Sequence, residues 1–154
     1  MDFEMISCGV AGQKATIPAA KIEQAKQKIS EEIRRLLQDG YRRFLIAITG
    51  EAALLFAEAV LSFREQSPDA GIDVLLPFDG WIEQQTNCAR YKQITAQAES
   101  ANYSCDEEYE DSVDICNQQL IGFGRCMVVI HDGELVELIG DARDADQEVK
   151  EILI

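Results

Sequence analysis

The feature that most constrains this chain is a series of short, mostly apolar runs separated by segments of helical periodicity. Such runs occupy residues 5–10, 44–48, 72–76 and 126–130, and a glycine or proline follows each within three positions. A strand with one face in water alternates apolar and polar residues, whereas a continuous apolar run indicates burial on both faces. Buried strands that alternate with helices are typical of a doubly wound α/β fold. We therefore predict a mostly parallel sheet with helices on both of its faces.

The segments between these runs have the spacing of helices. Apolar residues recur at steps of three and four over residues 22–37, which predicts a helix with one core-facing side. Further helices are predicted at residues 52–65, 87–99 and 109–121. A weaker strand at residues 102–105 completes a predicted sheet of five parallel strands.

The C-terminal end departs from this alternation. Asp132 and Gly133 stand between two apolar runs, which is a strong signal for a two-residue β-hairpin. We therefore expect an antiparallel sixth strand at residues 135–139 and a terminal helix at residues 144–153. That strand would form an apolar sheet edge, which favours pairing with a second copy as a homodimer. No repeat or linker interrupts the chain, so we expect residues 1–154 to form a single domain.

The charge is large and uneven. The chain has 28 acidic and 14 basic residues, a formal net charge of −14. Residues 1–98 carry 13 acids and 11 bases, whereas residues 99–154 carry 15 acids and 3 bases. This field would repel nucleic acid over a broad surface, and it disfavours anionic membranes. The acidic segment is either a solvated face that maintains solubility or a surface for a basic partner.

The cysteines indicate a reducing compartment rather than a metal site. The five cysteines are odd in number, no C-x-x-C pair occurs, and His131 is the one histidine. We expect no metal cofactor and free thiols in the cytoplasm. This agrees with the absence of a basic signal-peptide start and of any run near the roughly 18 apolar residues of a membrane span. Cys116 is expected to be a core cysteine, with its pKa raised by the acidic neighbours Asp111 and Asp114.

The loops that follow the strands carry the candidate site, because open α/β sheets bind ligands at the carboxyl ends of their strands. Glycines there allow close backbone approach, Lys14 can meet an anion, and Trp81 can stack on a base. There are two alternatives to these binding roles. Residues 9–14 can form an ordinary turn, and Trp81 can serve as a cap over the sheet edge. His131 ends a strand without a placed acid–base partner, which favours an incidental role. The residues expected to line one pocket are Gly12, Lys14, Thr49, Gly50, Pro77, Trp81 and Asn117.

Several short motifs follow one another in these loops in an order that is also found in a known protein family. Their order and spacing over residues 5–133 resemble the YpsA-like branch of the SLOG superfamily, Rossmann-like proteins related to the LOG phosphoribohydrolases and the DprA proteins. The segment 11–14 stands where that branch has Thr-Gly-His-Arg, and Cys116-Asn117 stands where it has Arg-Asn. The other matching motifs are Thr49-Gly50 followed by Ala57-Glu58, Pro77-Phe78 with Tyr91 downstream, and Asp132-Gly133. The resemblance implies a Rossmann-like fold and adds Glu58, Asp132 and Gly133 to the candidate ligand-binding residues.

The chain also departs from this family pattern where anions are bound. Ala11 and Lys14 replace threonine and arginine of the first motif, and Cys116 replaces the arginine of the Arg-Asn pair. The acidic residue of the second turn has no clear counterpart, with Glu51 only a neighbour of its place. Acidic residues at 134–141 replace a Gly-Gly-Thr turn. This chain therefore lacks several of the anion-binding residues that the family resemblance implies.

Three functions follow from these observations. The leading hypothesis is binding of a nucleotide or nucleotide-derived small molecule, including the nucleotide-sugar type, without an identified catalytic residue. The first alternative is a phosphoribohydrolase-like N-glycosidase in which Glu58 or Glu51 acts at the glycosidic bond. The second is a non-catalytic interaction protein that has lost its ligand site and offers its acidic third to a basic partner.

Overall fold

Six parallel strands form one continuous sheet. A computed structural model describes residues 7–154, so residues 5 and 6 of the first predicted strand lie outside the described part. The strands follow the order β4-β3-β2-β1-β5-β6, and every neighbouring pair is parallel. The strands are β1 (Ser7–Gly12), β2 (Arg43–Ala47), β3 (Gly71–Phe78), β4 (Ser100–Cys105), β5 (Cys126–His131) and β6 (Glu148–Leu153). The predicted Rossmann-like α/β architecture is confirmed.

Among residues 7–154, five α-helices cover the sheet in two layers. They are α1 (Ile22–Gln38), α2 (Glu51–Phe63), α3 (Cys88–Gln97), α4 (Ser112–Gln118) and α5 (Val136–Asp144). One apolar cluster joins α1, α2 and α3 to one face of the sheet, and a second joins α4 and α5 to the other face. Within the described residues, no helix combines the length and the apolar character needed to cross a membrane.

The strand order follows from two runs of right-handed crossovers in opposite directions. The chain adds β2, β3 and β4 on one side of β1, then returns past β1 to place β5 and β6 on the other side. Helices of a right-handed crossover change face when the direction of winding reverses. The crevice at the reversal lies between β1 and β5, and β1 is fully buried there.

The C-terminal prediction is wrong in its element types. The predicted strand at residues 135–139 is instead the N-cap Leu135 and the start of α5. The predicted terminal helix is replaced by β6, which runs parallel to β5. Leu135, Leu138, Ile139 and Ala142 recur at steps of three and four, and they pack in the cluster of the second face. This helical stripe outweighs the hairpin signal of the preceding turn. The strand edge that suggested a homodimer does not exist, and the sheet edges are β4 and β6.

The structure also shifts one predicted boundary. The third strand was expected to stop at Pro77, but β3 continues through this proline to Phe78. The pairs Leu76–Tyr103 and Phe78–Cys105 flank the proline in the register with β4. A proline lacks only its own N–H group, so the strand continues past it next to an edge strand.

The close contact between β1 and the start of β5 requires a glycine. Gly124 has a φ of 68°, and a Cβ atom there would overlap the backbone carbonyl oxygen of Ser7. Gly140 lies inside α5 with open space around it.

We predict opposite effects of alanine at these two glycines. Gly124→Ala should lower the free energy of unfolding by about 2 kcal/mol or more, because it combines strain with a backbone overlap. Gly140→Ala should raise it by about 0.5–1 kcal/mol, since alanine favours a helix interior. Urea unfolding of both variants measures the difference. Equal effects of the two substitutions would contradict the described packing.

A buried histidine connects the last two strands. His131 is 3% exposed, and its Nδ1 accepts a hydrogen bond from the backbone N–H of Gly133. The proton of the neutral ring is therefore on Nε2, which donates to Glu151 Oε1 at 2.9 Å. This hydrogen bond holds the pKa of the Glu151 carboxyl below its ordinary value, and the nearby Arg143 guanidinium adds to the effect.

This arrangement predicts an acid-dependent loss of stability. The folded state favours the ionised Glu151, so its stabilisation is present above the pKa of an unfolded glutamate and is lost as the pH falls through the lower folded pKa. Glu151→Gln keeps an acceptor for His131 but removes the titration. Its free energy of unfolding should therefore fall less than that of the wild type between about pH 5 and pH 3.

Glu110→Gln is the matched control, because Glu110 is exposed in the loop before α4. It should keep the wild-type acid profile. Superimposable profiles for Glu151→Gln and the wild type, measured by urea unfolding at each pH, would rule out the His131–Glu151 contribution.

Candidate functional site

The carboxyl ends of β1 to β4 surround a cavity of about 360 Å³. This volume is at the lower end of the range of small-molecule pockets. Four of the predicted site residues lie together in its wall, namely Lys14, Thr49, Gly50 and Trp81. The other lining residues are Thr16, Glu51, Gln84, Gln85, Thr86, Asn87, Tyr91 and Glu108. The loops after these four strands therefore do meet at one site.

Two glycines allow the loop after β1 to lie against the start of α2. A Cβ atom on Gly12 would lie 2.9 Å from the backbone nitrogen of Ala53, and one on Gly50 would lie 3.0 Å from the carbonyl oxygen of Lys14. Thr49 Oγ1 donates a hydrogen bond to the carbonyl oxygen of Gly12 at 3.1 Å. Gly12 thus shapes the wall from behind without being part of the cavity lining.

The start of α2 and Lys14 are the two sources of positive potential in the cavity wall. Gly50 stands at the N-cap and brings no capping side chain to the first helical turn. Uncapped N–H groups at a helix N-terminus attract an anion, and Lys14 from the opposite loop adds a full positive charge. Glu51 and Glu108 bring carboxylates into the same wall. Mixed charges of this kind restrict how much negative charge a ligand can bring.

The aromatic side of the cavity is built by Trp81 and Tyr91. Trp81 is 7% exposed, and its ring stands edge-on to Phe78 with centroids 5.7 Å apart. Its Nε1–H has no hydrogen-bond acceptor among the described residues. Burial raises the pKa of the Tyr91 hydroxyl, so this group stays protonated at neutral pH. Trp81 therefore offers an unused donor, and Tyr91 offers a neutral hydroxyl.

Glu58 does not belong to this cavity. Its carboxylate accepts hydrogen bonds from Arg90 Nε at 3.1 Å and Arg90 Nη2 at 2.5 Å, which ties α2 to α3. The hydrogen bond to Glu58 raises the pKa of the Arg90 guanidinium. Glu51 lies 3.9 Å from the same guanidinium and does reach the cavity wall. Of the two carboxylates considered for glycosidic chemistry, the structure brings only Glu51 to the cavity.

Asn117 lies on the opposite layer of the molecule. It lines a separate cavity between α4 and α5 and is 4% exposed. Its neighbour Cys116 is fully buried, with Sγ 3.5 Å from the carbonyl oxygen of Leu75. Burial raises the pKa of the Cys116 thiol to about 11. The expected core position is confirmed, but the predicted cause is wrong, because burial raises this pKa and neither Asp111 nor Asp114 contributes.

Gln13, which is not among the predicted site residues, connects the loop after β5 to the loop after β1. Gln13 is 2% exposed, its Oε1 accepts a hydrogen bond from the backbone N–H of Asp132, and its own N–H donates to the carbonyl oxygen of Ile130. Asp132 and Gly133 therefore stand beside the loop after β1, outside the cavity lining. A buried glutamine in a turn gives no distinct pattern in a sequence.

The polar run at residues 83–87 was also left out of the predicted site. Its Gln84, Gln85, Thr86 and Asn87 follow Trp81 after Ile82 and Glu83, and they form much of the cavity wall. An uninterrupted polar run after a predicted strand was the available signal. Pro77 lies inside β3 and is not in the lining.

A metal centre finds no support in the described part of the chain. Among residues 7–154, no group of three or more His, Cys, Asp or Glu side chains is arranged to hold a metal ion. The charges that face the cavity come from one lysine and two glutamates.

Comparison with known proteins identifies the family. A search of curated proteins finds no match to this chain. A family model described as the YspA SLOG family matches residues 16–136, which is most of the chain and extends from the loop after β1 to the start of α5. The resemblance inferred from the loop motifs is thereby confirmed. The chain belongs to the YspA SLOG family.

Proposed function

We propose that this protein binds a nucleotide or nucleotide-derived small molecule in the cavity at the carboxyl ends of β1 to β4. The observation that carries the proposal is the meeting of Lys14, the uncapped start of α2 and Trp81 around one cavity of about 360 Å³. A nucleotide has the matching parts: an anionic phosphate, a ribose with hydroxyl groups and a base with hydrogen-bonding edges.

The charges in the wall limit the class of ligand. Lys14 and the α2 N-terminus suit a ligand with one or two phosphate groups, and Glu51 can accept hydrogen bonds from ribose hydroxyls. Two carboxylates in the same lining disfavour a triphosphate. The ligand is therefore a nucleoside monophosphate, a nucleotide sugar or a related molecule of low charge.

Hydrolysis of an N-glycosidic bond is the runner-up activity, with Glu51 as its carboxylate. Glu58 is held in a bidentate pair with Arg90 outside the cavity, so it lacks access to a bound ribose. Incubation with nucleoside monophosphates and detection of free base separates hydrolysis from binding alone.

The proposal includes a cytoplasmic location, because all five cysteines are free thiols.

The single tryptophan of the chain predicts a direct optical test. Trp81 lies in the cavity wall with an unpartnered indole N–H, so a ligand that reaches this group should change its fluorescence. Titration with AMP, GMP, CMP, UMP and UDP-glucose should give a saturable change in tryptophan emission with at least one of them. The same ligand should raise the Tm, since binding to the native state stabilises it by about 2.7 kcal/mol at a hundred times Kd.

Failure of every probe to change the emission or the Tm of a folded sample would refute the proposed ligand class. Trp81→Phe controls the optical signal, because it removes the reporter but keeps an aromatic ring against Phe78. Ligand binding to this variant, followed by calorimetry, should persist in weakened form.

Two lysine-to-methionine variants test whether Lys14 binds the anionic part of the ligand. Lys14→Met should weaken binding of the best nucleotide about three- to tenfold, because it removes a charge-assisted contact from the cavity wall. Lys92→Met is the matched control, since Lys92 is an exposed lysine of α3 outside the cavity lining. Calorimetric titration of both variants measures the contrast. Equal weakening in the two variants would show that only the net charge matters and would place the phosphate elsewhere.

A further inference from the structure

A second cavity of about 450 Å³ lies on the other layer of the sheet, between α4 and α5. It is lined by Asp114, Asn117, Gln118, Glu134, Leu135, Val136, Glu137 and Leu138. None of these residues lines the cavity at the ends of β1 to β4. The proposed nucleotide site therefore leaves this cavity unexplained.

The charges that line this second cavity are all negative. Asp114, Glu134 and Glu137 contribute carboxylates, and neither lysine nor arginine is part of the wall. Of the three bases in residues 99–154, Arg143 is paired to Glu151, Lys150 is paired to Glu148, and Arg125 lines a different cavity. Because an acidic concave surface concentrates cations, the expected ligand is positively charged.

A buried amide supplies an independent indication of a ligand. Asn117 lines the cavity and is 4% exposed, yet its Oδ1 accepts no hydrogen bond from any residue between 7 and 154. An unsatisfied buried acceptor costs free energy that a donor would recover. The torsion that orients an asparagine amide is broad, so the amide of Asn117 can turn within the cavity wall. A ligand with N–H donors would complete this group.

The remaining wall is aliphatic. Leu135, Val136 and Leu138 line the cavity beside the carboxylates, and Val136 is 63% exposed. A ligand that suits both parts has an apolar stem and a cationic head with several donors. The side chain of arginine combines a three-carbon stem with a planar guanidinium that carries five N–H donors.

We propose that the cavity between α4 and α5 binds an arginine side chain presented by a basic partner protein. Asn117 Oδ1 accepts a hydrogen bond from the guanidinium, Asp114 and Glu134 neutralise its charge, and Val136 packs against its stem. A protein partner is favoured over a free small molecule because the negative charge extends far beyond the cavity. Residues 99–154 carry 15 acids against 3 bases, which suits a segment with several basic residues.

A pair of peptides tests the requirement for a guanidinium. The probe is acetyl-Gly-Lys-Gly-Lys-Arg-Lys-Gly-Lys-Gly-amide, and the control peptide has citrulline, a neutral isostere, in place of arginine. Calorimetry at low salt should show the arginine peptide binding at least tenfold more tightly than the citrulline peptide. Equal affinities, or no binding of either peptide, would overturn the proposal. N-acetylarginine methylamide should bind at least tenfold more weakly than the peptide, and equal affinity would overturn the protein partner.

Variants of the chain then locate the site. Asn117→Leu should weaken the arginine peptide about tenfold without lowering the Tm, because leucine has a similar size and removes the unsatisfied acceptor. Unchanged affinity in this variant would overturn the role of Asn117.

A matched glutamate pair keeps the test valid if Asn117→Leu fails to fold. Glu134→Gln should weaken binding more than threefold, whereas Glu110→Gln, with the same change in net charge outside the cavity, should change it less than twofold. Equal effects of the two glutamate variants would show a diffuse attraction and would exclude the cavity as the site.

Discussion

The close approach of the loop after β1 to the start of α2 is the contact on which the rest of the site depends. Gly12 and Gly50 face backbone atoms at distances that leave no room for a side chain, and Thr49 binds the loop from the side. Because of this contact, the uncapped N–H groups of α2 and Lys14 lie next to each other in the wall of one cavity. A bulkier residue at either glycine would separate these two sources of positive charge.

The sequence predicts most of the fold, and it fails where two local signals compete. Continuous apolar runs identify four strands, and the stripe of α1 identifies a helix, since each of these patterns extends over several residues. The C-terminal segment failed because Asp132-Gly133 suggested a hairpin, whereas Leu135, Leu138 and Ile139 pack as a helical stripe against the sheet. Tertiary burial decided between these readings, and it is invisible in the local pattern.

The candidate site is predicted in part for a related reason. Lys14, Thr49, Gly50 and Trp81 meet because they follow strands that end at the same sheet edge, which the alternation of elements already implies. Asn117 is excluded because it lies on α4, and the face covered by α4 depends on where the winding reverses. The local sequence pattern does not indicate that β5 pairs with β1 on the side away from β2. Gln13 escapes prediction because its role is to join two loops that are distant in the chain.

The two layers of the fold differ in electrostatics as well as in position. Residues 1–98, which contain α1, α2 and α3, carry 13 acids and 11 bases, whereas residues 99–154, which contain α4 and α5, carry 15 acids and 3 bases. Because the sheet separates these layers, the same small protein can carry the proposed site for a weakly anionic ligand on one face and the proposed site for a cationic one on the other. The reversal of winding between β1 and β5 thus places the helices of the nearly neutral stretch on one face of the sheet and the helices of the acidic stretch on the other.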